Sequence, residues 1–205
     1  MKLLRIFICM LLGYLLGTLS PSALFGKLKK VDLRNQGTGN LGATNTMLVL
    51  GKAYGAIVML FDISKAYLAA FLARLLCADV SIAPVLAGAA AVAGHIYPFY
   101  LNFKGGKGLA PFAGLVLYTD PLIFLFLLVF CTTLMIAVNY SIAMPWSAGA
   151  LFPFLVFWKS GDLALFFVCL AVSALIIYKH YPNFIKAING EDRKIRDHIR
   201  TMFSK

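Results

Sequence analysis

The chain has 205 residues, of which 61% are hydrophobic and 13% charged, and it carries a formal net charge of +11. Soluble domains run about 45–50% apolar and about 25% charged, and so large an apolar excess cannot be hidden in one small core whose exterior must stay polar. Disorder, a collagen, a disulfide scaffold and a soluble nucleic-acid-binding domain are excluded. A small polytopic membrane protein remains, with apolar residues for roughly six or seven spans of about 20 residues each.

The first apolar run covers residues 3–25. Its head, Met1-Lys2-Leu3-Leu4-Arg5, and its end, Ser20-Pro21-Ser22-Ala23, have the form of a cleaved signal peptide. The run is long enough to span, however, and the chain after it is itself largely apolar, so it reads as a first transmembrane helix. A polar stretch from Lys27 to Asn45 follows. Further apolar runs fall at 53–77, 83–101, 108–118, 121–139, 142–158 and 163–178. The breaks carry Asp79, Lys104 to Gly108, Asp120-Pro121, Asn139-Tyr140-Ser141 and Lys159-Ser160-Gly161-Asp162. The expected fold is an all-α polytopic membrane protein of seven helices in one domain, residues 1–205, with the run 108–118 too short to cross unaided. Cys9, Cys77, Cys131 and Cys169 lie in or beside apolar runs without metal-ligand spacing and read as small packing residues.

An odd number of spans puts the termini on opposite faces, and the basic residues orient the chain. One face collects Lys27, Lys29, Lys30, Arg34, Lys52, Lys104, Lys107, Lys179, Lys186 and the basic residues of the C-terminal tail. The other receives Lys2, Arg5, Arg74 and Lys159. Cytoplasmic loops gather Lys and Arg, so the expected N-terminus is extracytoplasmic and the C-terminus cytoplasmic.

Three polar clusters share that cytoplasmic face. The first is Arg34-Asn35-Gln36-Gly37-Thr38-Gly39-Asn40-Leu41-Gly42-Ala43-Thr44-Asn45. Its glycines permit backbone N–H groups to form an anion nest, assisted by the Thr38 and Thr44 hydroxyls and the Asn40 and Asn45 amides. Thr44 or Asn45 is a candidate cap for the following helix. An ordinary flexible turn has a similar composition, but an arginine followed by many small donors and no acid favours phosphate. The second cluster places Gly105-Gly106 between Lys104 and Lys107, after His95. It is not a Walker A loop, because Leu101 and Gly108 stand where that motif needs Gly and Ser or Thr. Plain positive-inside anchoring would also account for the two lysines. The third cluster is Lys179-His180-Tyr181-Pro182-Asn183, then Lys186, Asn189, Gly190, Glu191 and Asp192, with His180 and Asn183 three apart on one potential helix face. Asp62 and Lys65 lie inside the second span, also three apart, as an internal ion pair or a functional pair.

These pieces in this order resemble the PlsY family, the bacterial acyl-phosphate:glycerol-3-phosphate acyltransferases. The matching residues are Tyr14-Leu15-Leu16-Gly17, Val31-Asp32-Leu33-Arg34 with Gly37 to Asn45, Gly51-Lys52, Asp62 with Lys65, Gly94-His95, Pro98, Phe103 to Ala110, and His180, Asn183 and Gly190. The resemblance implies a seven-helix fold and transfer of a fatty acyl group from acyl phosphate to the 1-hydroxyl of glycerol 3-phosphate, giving lysophosphatidic acid in the bacterial inner membrane. It implies Thr38, Asn40, Lys104, His180 and Asn183 as catalytic, and Arg34, Gly37, Gly39, Gly42, Thr44, Asn45, Gly105, Gly106 and Lys107 as phosphate- or substrate-binding. Asp62, Lys65 and His95 are supporting residues in this reading. The partners are the two substrates and membrane lipid, with no nucleic acid, no cofactor and no metal, and the protein is expected to be a monomer.

The chemistry fits, since two phosphorylated substrates call for two cationic glycine-rich nests, and an acyl phosphate is already activated, leaving positioning and electrostatics as the main work. Conventional machinery is missing: the residues five after His95, His180 and His198 are Tyr100, Ile185 and Phe203, and there is no GxSxG elbow. The chain departs from the family pattern at Thr18, Thr38, Ala66, Pro111, Lys186 and Asp192, and Pro111 removes both a hydroxyl and an N–H donor. The competing class is a transporter or channel for a phosphorylated or anionic solute, but such proteins favour midplane sites and internal repeats, whereas these clusters gather at one face. A reporter active only in the cytoplasm should therefore be active when fused after Lys205 and silent when fused before Met1; the reverse pattern would overturn the orientation.

Overall fold

The computed structural model of the chain describes residues 2–191 and Lys194. Among them all regular structure is helical: α1 (Lys2–Thr18), α2 (Pro21–Leu28), α3 (Ala43–Leu50), α4 (Lys52–Leu76), α5 (Ala83–Ile96), α6 (Leu109–Thr119), α7 (Pro121–Val138), α8 (Ala143–Ser160) and α9 (Leu163–Ile188), with a 3₁₀ turn at Phe99–Leu101. By packing, the chain divides into two compact units, Met1–Thr119 and Asp120–Lys205. Five stretches are long and apolar enough to cross a membrane: Lys2–Leu28, Lys52–Leu76, Ala83–Leu101, Pro121–Val138 and Leu163–Ile188. Helix α6 has 11 residues and is therefore about 16 Å long, half a hydrocarbon core of about 30 Å. Helix α8 is diluted by Pro145, Trp146 and Ser147 and by Lys159-Ser160 at its end.

The sequence breaks are helix caps. The Asp120 carboxylate accepts from the Leu122 and Ile123 N–H groups and Pro121 occupies the first turn, where its missing N–H costs nothing. Asp162 caps α9 in the same way through Ala164 and Leu165. Asn139 and Gly161 end α7 and α8 in the left-handed conformation.

Two boundaries differ from expectation, and one helix, α3, forms ahead of the run expected from residue 53. The run 3–25 is not one helix: the Ser20 hydroxyl accepts from the Ala23 N–H and Pro21 starts a new helix, so the chain breaks after Thr18 although hydropathy does not. The last helix does not stop at 178 but continues through Pro182 to Ile188. Hydropathy falls at Lys179-His180, yet His180 turns inward, its Nδ1 lying 2.8 Å from the Ile176 carbonyl oxygen, and Phe184 and Ala187 continue that face at helical spacing.

In the first unit, α1 and α5 touch backbone to backbone along small residues. A methyl group added at Gly13 would lie 2.3 Å from the Ala87 carbonyl oxygen, one at Gly17 2.1 Å from that of Ala91, and one at Gly94 2.2 Å from that of Tyr14. Where lipid replaces water, such close approach supplies the van der Waals contact that drives helix association. Hydroxyls fasten the seam at one end: Tyr14 donates to the Tyr97 carbonyl at 2.7 Å and Tyr100 to that of Thr18 at 2.6 Å. At the other end Arg5 pairs with Asp79, and its guanidinium holds that carboxyl below the ordinary range. What this exposed pair adds is small; it is present above the ordinary carboxylate range and lost as pH falls. Between the two ends, Cys9 and Cys77 pack with Ala73, Ala83 and Ala87, their sulfurs 3.4 Å apart. In the second unit the Trp146 ring stacks on Phe184 at 4.2 Å, Gly149 lets α8 approach Ile177 of α9, and Asp120 pairs with Lys159.

Large apolar side chains of α1, α4, α7 and α9 point outwards, among them Leu3, Leu60, Leu122 and Phe167. Gly17→Leu should lower the melting temperature in detergent and cost more stability than the about 1–3 kcal/mol of ordinary overpacking, because a carbonyl cannot yield. Leu12→Ala on the outer face should stay within about 0.5 kcal/mol.

Candidate functional site

The first loop is held by a buried side chain as well as by its own turns, in which the Gly39 N–H donates to the Gln36 carbonyl and the Gly42 N–H to that of Asn40. Asn45, fully buried, accepts from the Thr38 N–H at 2.6 Å and donates to the Leu33 carbonyl at 2.7 Å. One amide thus fixes both limbs of the loop. Gly37 and Gly39 adopt φ values of +61° and +71°, the left-handed region in which L side chains are strained, and a methyl group at Gly37 would lie 2.3 Å from Asn45 Oδ1. At the loop's start, Asp32 accepts from the Arg34 N–H and the Asn35 amide. Thr38 stays exposed at the tip and Asn40 is half-buried.

The loop runs into α3, whose N-cap is Gly42 without a side-chain cap. This corrects the capping expected of Thr44 or Asn45: Thr44 is exposed on the first turn, and the Asn45 amide is already engaged with Thr38 and Leu33. The first-turn N–H groups of α3 are therefore left for an anion or water. Thr46 anchors the turn from behind, donating to the Gly42 carbonyl at 3.0 Å and lying 2.8 Å from the Ser22 hydroxyl.

The second loop, Asn102 to Gly108, folds back on the end of α5. The Gly105 N–H donates to Ile96 and the Gly106 N–H to His95, at 3.0 and 3.1 Å. No side chain fits at Gly106, since a methyl group would lie 2.1 Å from His95 Nε2 and 2.6 Å from the Leu41 carbonyl oxygen. Lys104 is exposed and Lys107 half-buried. Arg34 joins the two loops, its Nη2 donating to the Lys104 carbonyl at 3.2 Å and the Leu101 carbonyl at 3.4 Å.

Beside this junction lies a groove of about 340 Å³, with Lys27, Lys30 and Arg34 on its rim and Leu33, Leu41 and Leu101 in its wall. Beneath it, Asp62, Lys65 and His95 form a buried cluster, with Lys65 Nζ 2.7 Å from Asp62 Oδ1 and 2.8 Å from His95 Nδ1. The expected residues from Arg34 to Lys107 thus converge in the first unit. His180 and Asn183 lie in the second, three apart on α9, His180 buried and Asn183 half-buried. Asp192 and the tail from Arg196 fall outside the described residues. Among the described residues, no group of three His, Cys, Asp or Glu side chains is placed to hold a metal ion.

Sequence reasoning did not single out Ser22, Thr46 or the Leu33 and Leu41 carbonyls. Nothing in a linear pattern marks a backbone carbonyl, but the Gly13-x-x-x-Gly17 spacing in an apolar run is a readable sign of close helix contact.

Residues 7–190 match the family described as glycerol-3-phosphate acyltransferase. The chain is 36% identical over 193 residues to a glycerol-3-phosphate acyltransferase of Macrococcus caseolyticus, covering 94% of this chain and 98% of that one. It is 39% identical to one of Geobacillus kaustophilus, over 91% and 94% of the two chains. The crystal structure of PlsY, an integral membrane glycerol 3-phosphate acyltransferase, in its glycerol 3-phosphate form is similar with a TM-score of 0.86 and 32% identity, over 92% of this chain and 94% of that chain. Its lysophosphatidic acid form gives a TM-score of 0.83 and 31% identity.

Asn45→Ala removes the partner of both Thr38 and Leu33, at about 1–3 kcal/mol for each buried group left unpaired. Amide exchange at Thr38 should rise at least about tenfold, the equivalent of about 1.4 kcal/mol. Asn45→Asp, which keeps the acceptor and loses the donor, should fall between.

Proposed function

Since the chain belongs to the glycerol-3-phosphate acyltransferase family, we propose that it transfers a fatty acyl group from acyl phosphate to the 1-hydroxyl of glycerol 3-phosphate in phospholipid synthesis. The observation that carries this reading is the Arg34 bridge, which sets two glycine-rich, basic loops side by side. Two adjoining cationic nests suit a reaction in which both substrates carry phosphate.

In this reading the substrate hydroxyl attacks the acyl carbonyl, the bond from carbonyl carbon to phosphate oxygen breaks, and inorganic phosphate departs. The hydroxyl proton passes to a substrate phosphate oxygen. Lys104, Lys107 and Arg34 bind phosphates; Thr38, Asn40 and the Gly37, Gly39 and Gly42 backbone, with Thr44, hold the acyl phosphate. Asn45 and the Gly105-Gly106 turn keep these groups in place, while His180 and Asn183 orient glycerol 3-phosphate. The groove's apolar wall beneath a basic rim suits a donor with an anionic head and a fatty tail. Residues 1–205 are one acyltransferase domain of seven spans, acting as a monomer in the bacterial cytoplasmic membrane with the site facing the cytoplasm.

A transporter of anionic solutes is the weaker reading, because Arg34 and Lys104 stand on two adjoining loops rather than on broken helices at a midplane.

Detergent-purified protein given a synthetic acyl phosphate and labelled glycerol 3-phosphate should form lysophosphatidate without a thioester donor. Lys104→Ala should lower kcat/KM by about 10- to 150-fold, the equivalent of the about 1.5–3 kcal/mol of a charged hydrogen bond. Unchanged kcat/KM would remove Lys104 from the site, and absence of product alongside solute uptake into liposomes would favour the transporter.

A further inference from the structure

The Asp62–Lys65–His95 cluster reaches further than an ion pair between helices requires. The Lys65 ammonium donates to the Leu19 carbonyl at 3.0 Å, in the break between α1 and α2, lies 2.8 Å from His95 Nδ1 on α5, and is ion-paired with Asp62 Oδ1 at 2.7 Å on its own helix. Asp62 and Lys65 are 2% and 3% exposed and His95 6%. Charged groups so deep in an apolar helix are costly to place. His95 then carries the arrangement onward. Its Nδ1 faces the pair on α4, its Nε2 lies against Gly106, and its backbone carbonyl accepts the Gly106 N–H. The carbonyl of Leu41, in the first loop, meets His95 Nε2 in the space that a side chain at Gly106 would fill.

We propose that Asp62, Lys65 and His95 are positioning residues, a buried charge network that seats the Gly105-Gly106 turn and thereby sets Lys104 and Lys107 against the first loop. The proposal rests on the acyltransferase reading, in which those lysines bind phosphate. None of the three touches substrate. A purely structural pair would be indifferent to the turn, whereas this network ends on it, and the absence of a side chain at Gly106 is what allows the imidazole and the Leu41 carbonyl to enclose the chain there.

Asp62→Leu combined with Lys65→Met removes both charges together, so that no uncompensated charge is left buried. The full-length double variant should melt near wild type in detergent. Amide exchange at Gly105 and Gly106 should rise about tenfold or more while α4 and α5 stay protected, and kcat/KM for glycerol 3-phosphate should fall about 10- to 100-fold, the usual cost of losing a residue that orients a binding group. A folded double variant with either the exchange or kcat/KM within about twofold of wild type overturns the proposal. The second arm leaves the charges in place and stands even where that variant does not fold. If the turn is seated on the imidazole, His95→Asn and Gly106→Ala should be non-additive, the double variant lying within about threefold of the worse single. A double effect equal to the product of the singles overturns it. Wild-type protein without acyltransferase activity would instead count against the functional reading, leaving the exchange result to decide the network, so the two failures are distinguishable.

Discussion

A bilayer offers no water to a buried polar group, so one left without a partner in the protein is costly. Lys65 is where that constraint acts most strongly. Its ammonium is satisfied only where the end of α1, the middle of α4 and the end of α5 meet, because its acceptors come from Leu19, Asp62 and His95. Removing one charge alone would strand the other. The same meeting point is prepared by the small residues of α1 and α5, since only backbones that approach as closely as Gly17 and Ala91 leave the Leu19 carbonyl within reach.

The loops above this point obey the same rule with different partners. Besides the turn hydrogen bonds within each loop, the first is tied by the Asn45 amide and the second by the carbonyls of His95 and Ile96. Arg34 then uses the carbonyls that remain on Leu101 and Lys104. Each loop is thus tied to the helices as well as to itself, and the exposed groups at the junction include Lys27, Lys30 and Arg34 with the Asp32 carboxylate among them. Such a set of donors and cations suits anions.

Much of this architecture is legible in the sequence. The apolar runs and the breaks at Asp120, Asn139 and Asp162 locate helices and their caps, because capping chemistry is local and involves residues two or three apart. The importance of the region from Arg34 to Asn45 is also visible, through its glycines and its lack of acids. Two boundaries are not legible from hydropathy, which reports where apolar residues stand but not where a helix turns a corner: the break at Ser20 is made by a hydroxyl and a proline inside an apolar run, and the continuation of α9 through Pro182 by a buried histidine. In the sequence Asn45 reads as a donor for a ligand, whereas in the fold its amide serves Thr38 and Leu33, because a buried amide takes the nearest unsatisfied backbone it can reach.

By itself the sequence determined that 61% apolar and 13% charged residues belong in a membrane, roughly where the long helices lie, and which residue types are available for phosphate. Those properties are set by composition and by neighbours within one turn of helix. The tertiary structure decided which of the few polar residues hold the protein together and which are left for a substrate. The pairing of Lys65 with Leu19 and His95, and of Arg34 with Lys104, spans dozens of residues, and only the packing of helices with small faces brings such partners within hydrogen-bonding distance.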